Sequence, residues 1–162
     1  MCSALEAARA RNGVTPEGTP ARGRPFFTIP GIVSLLDRTP DQVLGMIAET
    51  GELLYAFDLS LVPERATRKE LRVLPQCVED FRAGRKCRLG WKDVARLATP
   101  HDNPILTGVE IQRTLNVSGS HVTALLRRDL LKSVGKWGPG PTGSPRIPAS
   151  SFLEFLERRR FF

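Results

Sequence analysis

The sequence predicts a mainly α fold with small β-hairpins, in which one helix–helix–strand–loop–strand–helix unit occurs twice in tandem. Three observations predict it. Capping and apolar residues recur 79 positions apart, pairing Thr28 with Thr107, Ile32 with Ile111, Leu36 with Leu115, Thr39 with Ser118 and Val43 with Val122. Each pair of helical segments precedes two short apolar runs around a turn-rich or charged stretch, the pattern of a hairpin. With 162 residues, 41% hydrophobic and 25% charged, the chain suits two small folded units that lean on each other or on a partner. An internal repeat governs the choice of fold before any single motif does.

The elements follow in order. Residues 1–24, rich in Gly, Pro, Thr, Ala and Arg, have no apolar periodicity and are expected to form a mobile tail. The first unit is expected over residues 25–84. Thr28–Leu36 puts Ile32, Val33 and Leu36 on one helical face. Asp37-Arg38-Thr39 breaks it, and Thr39 with Pro40 and Gln42 forms a capping box for a second helix lined by Val43, Met46 and Ile47. Gly51 ends that helix where a left-handed cap is wanted. Leu53–Phe57 and Leu71–Pro75 read as outgoing and returning strands, and Val78 and Phe81 mark a last helix.

Residues 85–103 are expected to connect the units through a short helix carrying Trp91, Val94, Ala95 and Leu97. The second unit, over 104–162, opens on the capping box Thr107-Gly108-Val109-Glu110. Asn116-Val117-Ser118 is its break, and Val122, Leu125 and Leu126 line its second helix. Leu130–Val134 and Pro145–Pro148 flank a Gly- and Pro-rich loop, and Phe152 and Phe155 mark the last helix. Each return strand ends at a proline, Pro75 and Pro148. Two helices around a short break are a helix-turn-helix and the hairpin is a wing, so tandem winged helix-turn-helix modules are expected.

From Leu106-Thr107-Gly108-Val109-Glu110-Ile111 through Asn116-Val117-Ser118-Gly119-Ser120-His121-Val122 to Arg146-Ile147-Pro148, the second unit resembles the excisionase and MerR-like winged-helix domains. Phe27-Thr28-Ile29-Pro30, Gly51-Glu52-Leu53-Leu54 and Leu74-Pro75-Gln76 make the first unit similar to them too. The resemblance implies double-stranded DNA as partner, a recognition helix in the major groove and a wing near the minor groove. It is more specific for fold than for biological task.

Charge separates the units. Residues 25–84 carry six basic and nine acidic side chains, whereas 104–162 carry nine basic and four acidic. The connecting segment adds five basic against two acidic, and the whole chain is +7. Basic surface favours polyanions through counterion release.

In the second unit Ser118, Ser120, His121, Thr123, Ala124, Arg127 and Arg128 are expected on the outer side of the recognition helix. Small hydroxyl residues can approach phosphates or base edges, and Arg127 can reach a phosphate or a guanine. Cations also suit any helix C-terminus, so Arg127 and Arg128 fit an ordinary solvated turn as well. Lys132, Lys136 and Arg146 surround the second wing, which reads as a minor-groove probe or as a plain surface loop. Trp137 can stack on a partner or pack on its own unit.

In the first unit the matching helix shows Asp41, Gln42, Leu44 and Glu49, of which only Gln42 suits a base edge. That side is expected to be solvated or to face protein. Arg65, Arg68, Lys69 and Arg72 lie on the first wing and can touch backbone alone.

Several classes are not expected. No nucleophile motif, paired carboxylates or phosphate-binding glycine loop occurs, so catalysis is not expected. Cys2, Cys77 and Cys87 form no C-x-x-C pair, so neither a metal site nor any cofactor is expected, and the thiols read as reduced. No apolar run reaches membrane-spanning length and no signal peptide is evident, which points to the cytoplasm and the nucleoid.

Two functions fit. One is a sequence-specific DNA-binding protein acting as an excisionase-like recombination directionality factor or transcription regulator. The other is an adaptor anchored to DNA by the second unit, whose first unit binds a recombinase, replication protein or polymerase. The opposite charges of the units allow head-to-tail self-association on DNA. Arg158–Phe162 reads as a frayed end or as a segment docking on a neighbouring copy.

Overall fold

The computed structural model describes residues 22–62, 69–136 and 145–161. The protein is mixed α/β and about 49% helical, with small antiparallel sheets, so helix predominates in keeping with a mainly α fold. The chain runs β1 (Phe27–Thr28), α1 (Ile29–Leu36), α2 (Pro40–Ala48), β2 (Ala56–Asp58), β3 (Leu71–Val73) and α3 (Pro75–Arg82). After α4 (Trp91–Ala98) the order returns as β4 (Ile105–Thr107), α5 (Gly108–Leu115), α6 (Gly119–Arg127), β5 (Gly135–Lys136), β6 (Pro145–Pro148) and α7 (Ala149–Arg158). Strand β7 (Arg160–Phe161) follows. Among the described residues no helix is long and apolar enough to cross a membrane.

Local chemistry sets the helix ends. The hydroxyls of Thr28, Thr39, Thr107 and Ser118 accept from the backbone N–H groups three residues on, satisfying donors a helix start leaves orphaned. Both helix pairs turn on a left-handed residue, Asp37 at φ 52° and Asn116 at φ 54°. Asp and Asn tolerate that region better than other side chains do.

The two prolines expected at equivalent places are one position out of step. Pro75 is the first residue of α3, where a missing N–H costs nothing, whereas Pro148 is the last residue of β6. Strand register gives the equivalence: Thr28 faces Arg72 and Thr107 faces Arg146, so Leu74 matches Pro148.

The sheets differ in completeness. The second has the order β4-β6-β5, while the first has β1-β3-β2-β7 and so takes a fourth strand from the far end of the chain. Ala56 pairs with Phe161 and Phe57 with Arg160. The expectation of a frayed or neighbour-docking end at 158–162 is thereby corrected: Arg160 and Phe161 complete this chain's own first sheet. Paired edge groups cost far less than orphaned ones, which favours closing the sheet this way.

Residues 22–24 also depart from the expected tail. The Arg22 guanidinium donates to the Arg96 and Thr99 carbonyls at the end of α4 and pairs with Asp102 at 2.7 Å. Gly23 has φ +65°, and a Cβ there would come within 2.8 Å of Pro100, so only glycine fits this crossing. Arg24 pairs with Glu79 at 2.7 Å.

The buried apolar residues of both halves form one cluster, from Phe26, Ile32 and Phe57 to Ile111, Leu125 and Phe152. An aromatic seam crosses it. Phe26 stacks on Phe57 at 5.7 Å, Phe57 meets the Trp91 ring edge-on at 6.5 Å, and the Arg160 guanidinium lies 4.8 Å over Tyr55. Thus α4 is wedged between the halves rather than strung between them.

Candidate nucleic-acid interface

Helix α6 is the element expected to carry recognition. Ser118 caps it, accepting from the His121 N–H at 3.2 Å, and that bond fixes the angle at which the first turn leaves the loop. Val122 and Leu125 point into the core, which turns Ser120, Thr123 and Arg127 toward solvent at helical spacing. The Thr123 hydroxyl donates back to the Gly119 carbonyl at 3.0 Å, leaving its methyl and an oxygen lone pair outward. Arg127 and Arg128 are exposed at the helix C-terminus, and among the described residues neither forms a salt bridge.

His121 is placed differently from the expectation. Its Nε2 lies 2.8 Å from the Leu59 carbonyl of the first half, so the ring turns inward and helps join the halves. The chain around Leu59 is shaped by Asp58, whose carboxylate accepts from the Ser60 hydroxyl and N–H and pairs with Lys69 at 3.3 Å. Burial opposes the charge of Asp58, yet the Ser60 bonds and the Lys69 ammonium outweigh it and hold the carboxyl below its usual range.

Arg72 is also drawn inside. Its Nε donates to the Leu115 carbonyl at 3.1 Å and its Nη2 to the Asn116 carbonyl at 3.1 Å, capping the C-terminus of α5. Its side chain is 11% exposed and pairs with Glu70. A cation at a helix C-terminus offsets the partial charge of the orphan carbonyls. Arg72 and Lys69 are therefore engaged within the molecule, and the hairpin of β2 and β3 offers less free cation than its sequence suggests. Arg65, Arg68 and Trp137 lie outside the described residues, as does the side chain of Lys136.

Lys132 is exposed beside the second hairpin, where its backbone N–H and carbonyl bond the Ser151 hydroxyl. Arg146 stands half-buried at the centre of β6, between Thr107 and Gly135. Gln42 is exposed on α2, but its side-chain oxygen is used by the Thr39 N–H at 2.9 Å. Around it Asp41, Leu44, Ala48 and Glu49 are exposed, giving an acidic face with Leu44 at its centre.

One group of cations escaped the sequence reading. Arg82, Lys86, Arg88, Lys92 and Arg96 run exposed from the end of α3 along α4. The basic count of the connector was visible, but not that α4 would sit against both halves. Among the described residues no cluster of three or more His, Cys, Asp or Glu side chains converges to hold a metal. Compared with protein-family models, curated proteins and solved structures, the chain shows no significant match to any of them.

Proposed function

We propose that the protein is a sequence-specific double-stranded DNA-binding protein made of two tandem winged helix-turn-helix units, acting in recombination directionality or transcription regulation. The observation that carries this reading is the outward face of α6. Ser120, Thr123, Arg127 and Arg128 form a small-hydroxyl and basic surface, with the exposed Asp129 just past the helix end. A helix of that surface fits a major groove: the hydroxyl end approaches closely, and the arginines reach phosphate or guanine edges. Lys132 and the second hairpin follow it in the chain, and a basic hairpin of this kind suits backbone or minor groove.

The test is a gel-shift titration with duplexes selected from a random pool. Arg127→Ala is expected to weaken binding by roughly 1–3 kcal/mol if it reads a base, and affinity is expected to fall steeply with salt. Salt-independent binding, or no selected sequence, overturns the reading.

A second reading rests on α2. An exposed acidic face around Leu44, 39% exposed, repels phosphate and suits a basic, partly apolar protein surface. In that reading the first unit is an adaptor for a DNA-processing partner while the second holds DNA. A footprint of about one helical turn favours the adaptor, and one of about two turns favours DNA contact by both units.

A further inference from the structure

Cys77 sits in the first turn of α3, and Cys87 lies in the segment that enters α4. Their sulfur atoms are 3.0 Å apart, and both residues are buried. A disulfide needs about 2.05 Å, so bonding asks for about 1 Å of movement. The chain between them is built to hold this approach. The Arg85 N–H returns to the Asp80 carbonyl at 2.7 Å, Gly84 turns at φ +72°, and the Tyr55 hydroxyl holds the Leu89 carbonyl at 2.7 Å.

The two thiols are not equivalent. The hydrogen bond shared with Cys77, with help from the Leu89 N–H, pulls the Cys87 thiol down to about 7 against its burial. The same bond, followed by burial, pushes Cys77 up. A low thiol beside a protonated one is the arrangement of an attacking and a resolving cysteine. Cys87 also lines a surface groove of about 360 Å³ with Leu54, Phe81, Arg85 and Lys86, which gives a small oxidant a way in.

We propose that Cys77 and Cys87 are a reversible oxidation site that takes a hydroperoxide, such as hydrogen peroxide, and closes to a disulfide. The Cys87 thiolate attacks one peroxide oxygen. The S–O bond forms, the O–O bond breaks, and hydroxide leaves to take up a proton as water. The Cys77 sulfur then attacks the sulfenic sulfur of Cys87. The S–S bond forms and the sulfenic oxygen leaves as a second water, carrying the Cys77 proton. Two thiols give up two electrons and one peroxide accepts them. The crosslink ties α3 to the entry of α4, the helix wedged into the aromatic seam. This site stands apart from the DNA-binding reading.

The test uses the full chain with one equivalent of hydrogen peroxide, followed by alkylation and intact-mass measurement. The expected product has lost the mass of two hydrogen atoms and takes up one alkyl group, on Cys2. Peptide mapping should join Cys77 to Cys87, and dithiothreitol should restore three alkylations. The oxidised form should melt about 5–10 °C higher. In Cys77→Ser, a dimedone adduct should collect on Cys87, whereas Cys87→Ser should leave Cys77 unreacted. Three alkylations after peroxide, or a crosslink through Cys2 alone, overturns the proposal. The wild-type mass measurement decides this even if a variant misfolds.

Discussion

The two turns that join the paired helices share one backbone and have different company. Asp37 and Asn116 occupy the same left-handed well, with ψ 51° in each. The first turn, residues 37–39, stands in solvent. The second is docked: its carbonyls receive Arg72, and the Asn116 amide donates to the Phe26 carbonyl at 3.0 Å. The same local structure thus serves two different settings. An asparagine can occupy the turn and still donate a bond; an aspartate can occupy it but only accepts. One copy of the unit is left with a free turn, while the other spends its turn on joining the halves.

The largest expected effect tests that joint. Arg72→Ala removes the cap from α5 and leaves two carbonyls without their cation, which should cost about 3 kcal/mol in urea unfolding. A loss below about 1 kcal/mol would show that the joint does not depend on this side chain. Next come reciprocal swaps at the turns. Asn116→Asp turns a carboxylate on the Phe26 carbonyl and should cost about 2 kcal/mol, whereas Asp37→Asn should be nearly neutral. Equal costs would break the contrast between the turns.

A smaller effect depends on pH and compares the sheets. Asp58 in the first sheet and Lys136 in the second hold matching strand positions, opposite Leu71 and Pro145. Because folding lowers the pKa of Asp58, its stabilisation is present above the unfolded value of about 4 and is lost as pH falls through the folded value. Asp58→Asn should therefore flatten the acid limb of stability as pH falls below about 4 in urea titrations. An unchanged acid limb would place the acid sensitivity elsewhere. The smallest effect is Glu49→Ala on α2, which should leave DNA affinity unchanged or slightly raised; a clear loss would bring α2 into the DNA contact.

Much of the helical order was legible because its causes are local. Thr28, Thr39, Thr107 and Ser118 cap helices through bonds that span three residues, and such spacing is visible in sequence. The pairing of Arg72 with Leu115, of His121 with Leu59 and of β7 with β2 was not legible. Each joins residues far apart in the chain, and a two-residue strand has no periodicity to announce it. The candidate site divides in the same way. Core positions Val122 and Leu125 fix which side of α6 faces out, so Ser120, Thr123 and Arg127 could be read from spacing. That His121 and Arg72 are consumed inside could not, because free and engaged side chains look alike in sequence.

The returning strand β7 also sets a timetable. Arg159 and Arg160 reach residues 57–60 from about 99 positions away, so the first sheet waits for them during synthesis. At ribosomal speeds of 5–20 residues per second that wait is about 5–20 s. Throughout it the outer edge of β2 lacks its partner, and any extended segment that reaches it first, including one from a neighbouring nascent chain, competes for the place. Crowding on a polysome therefore bears hardest on the half that is made first.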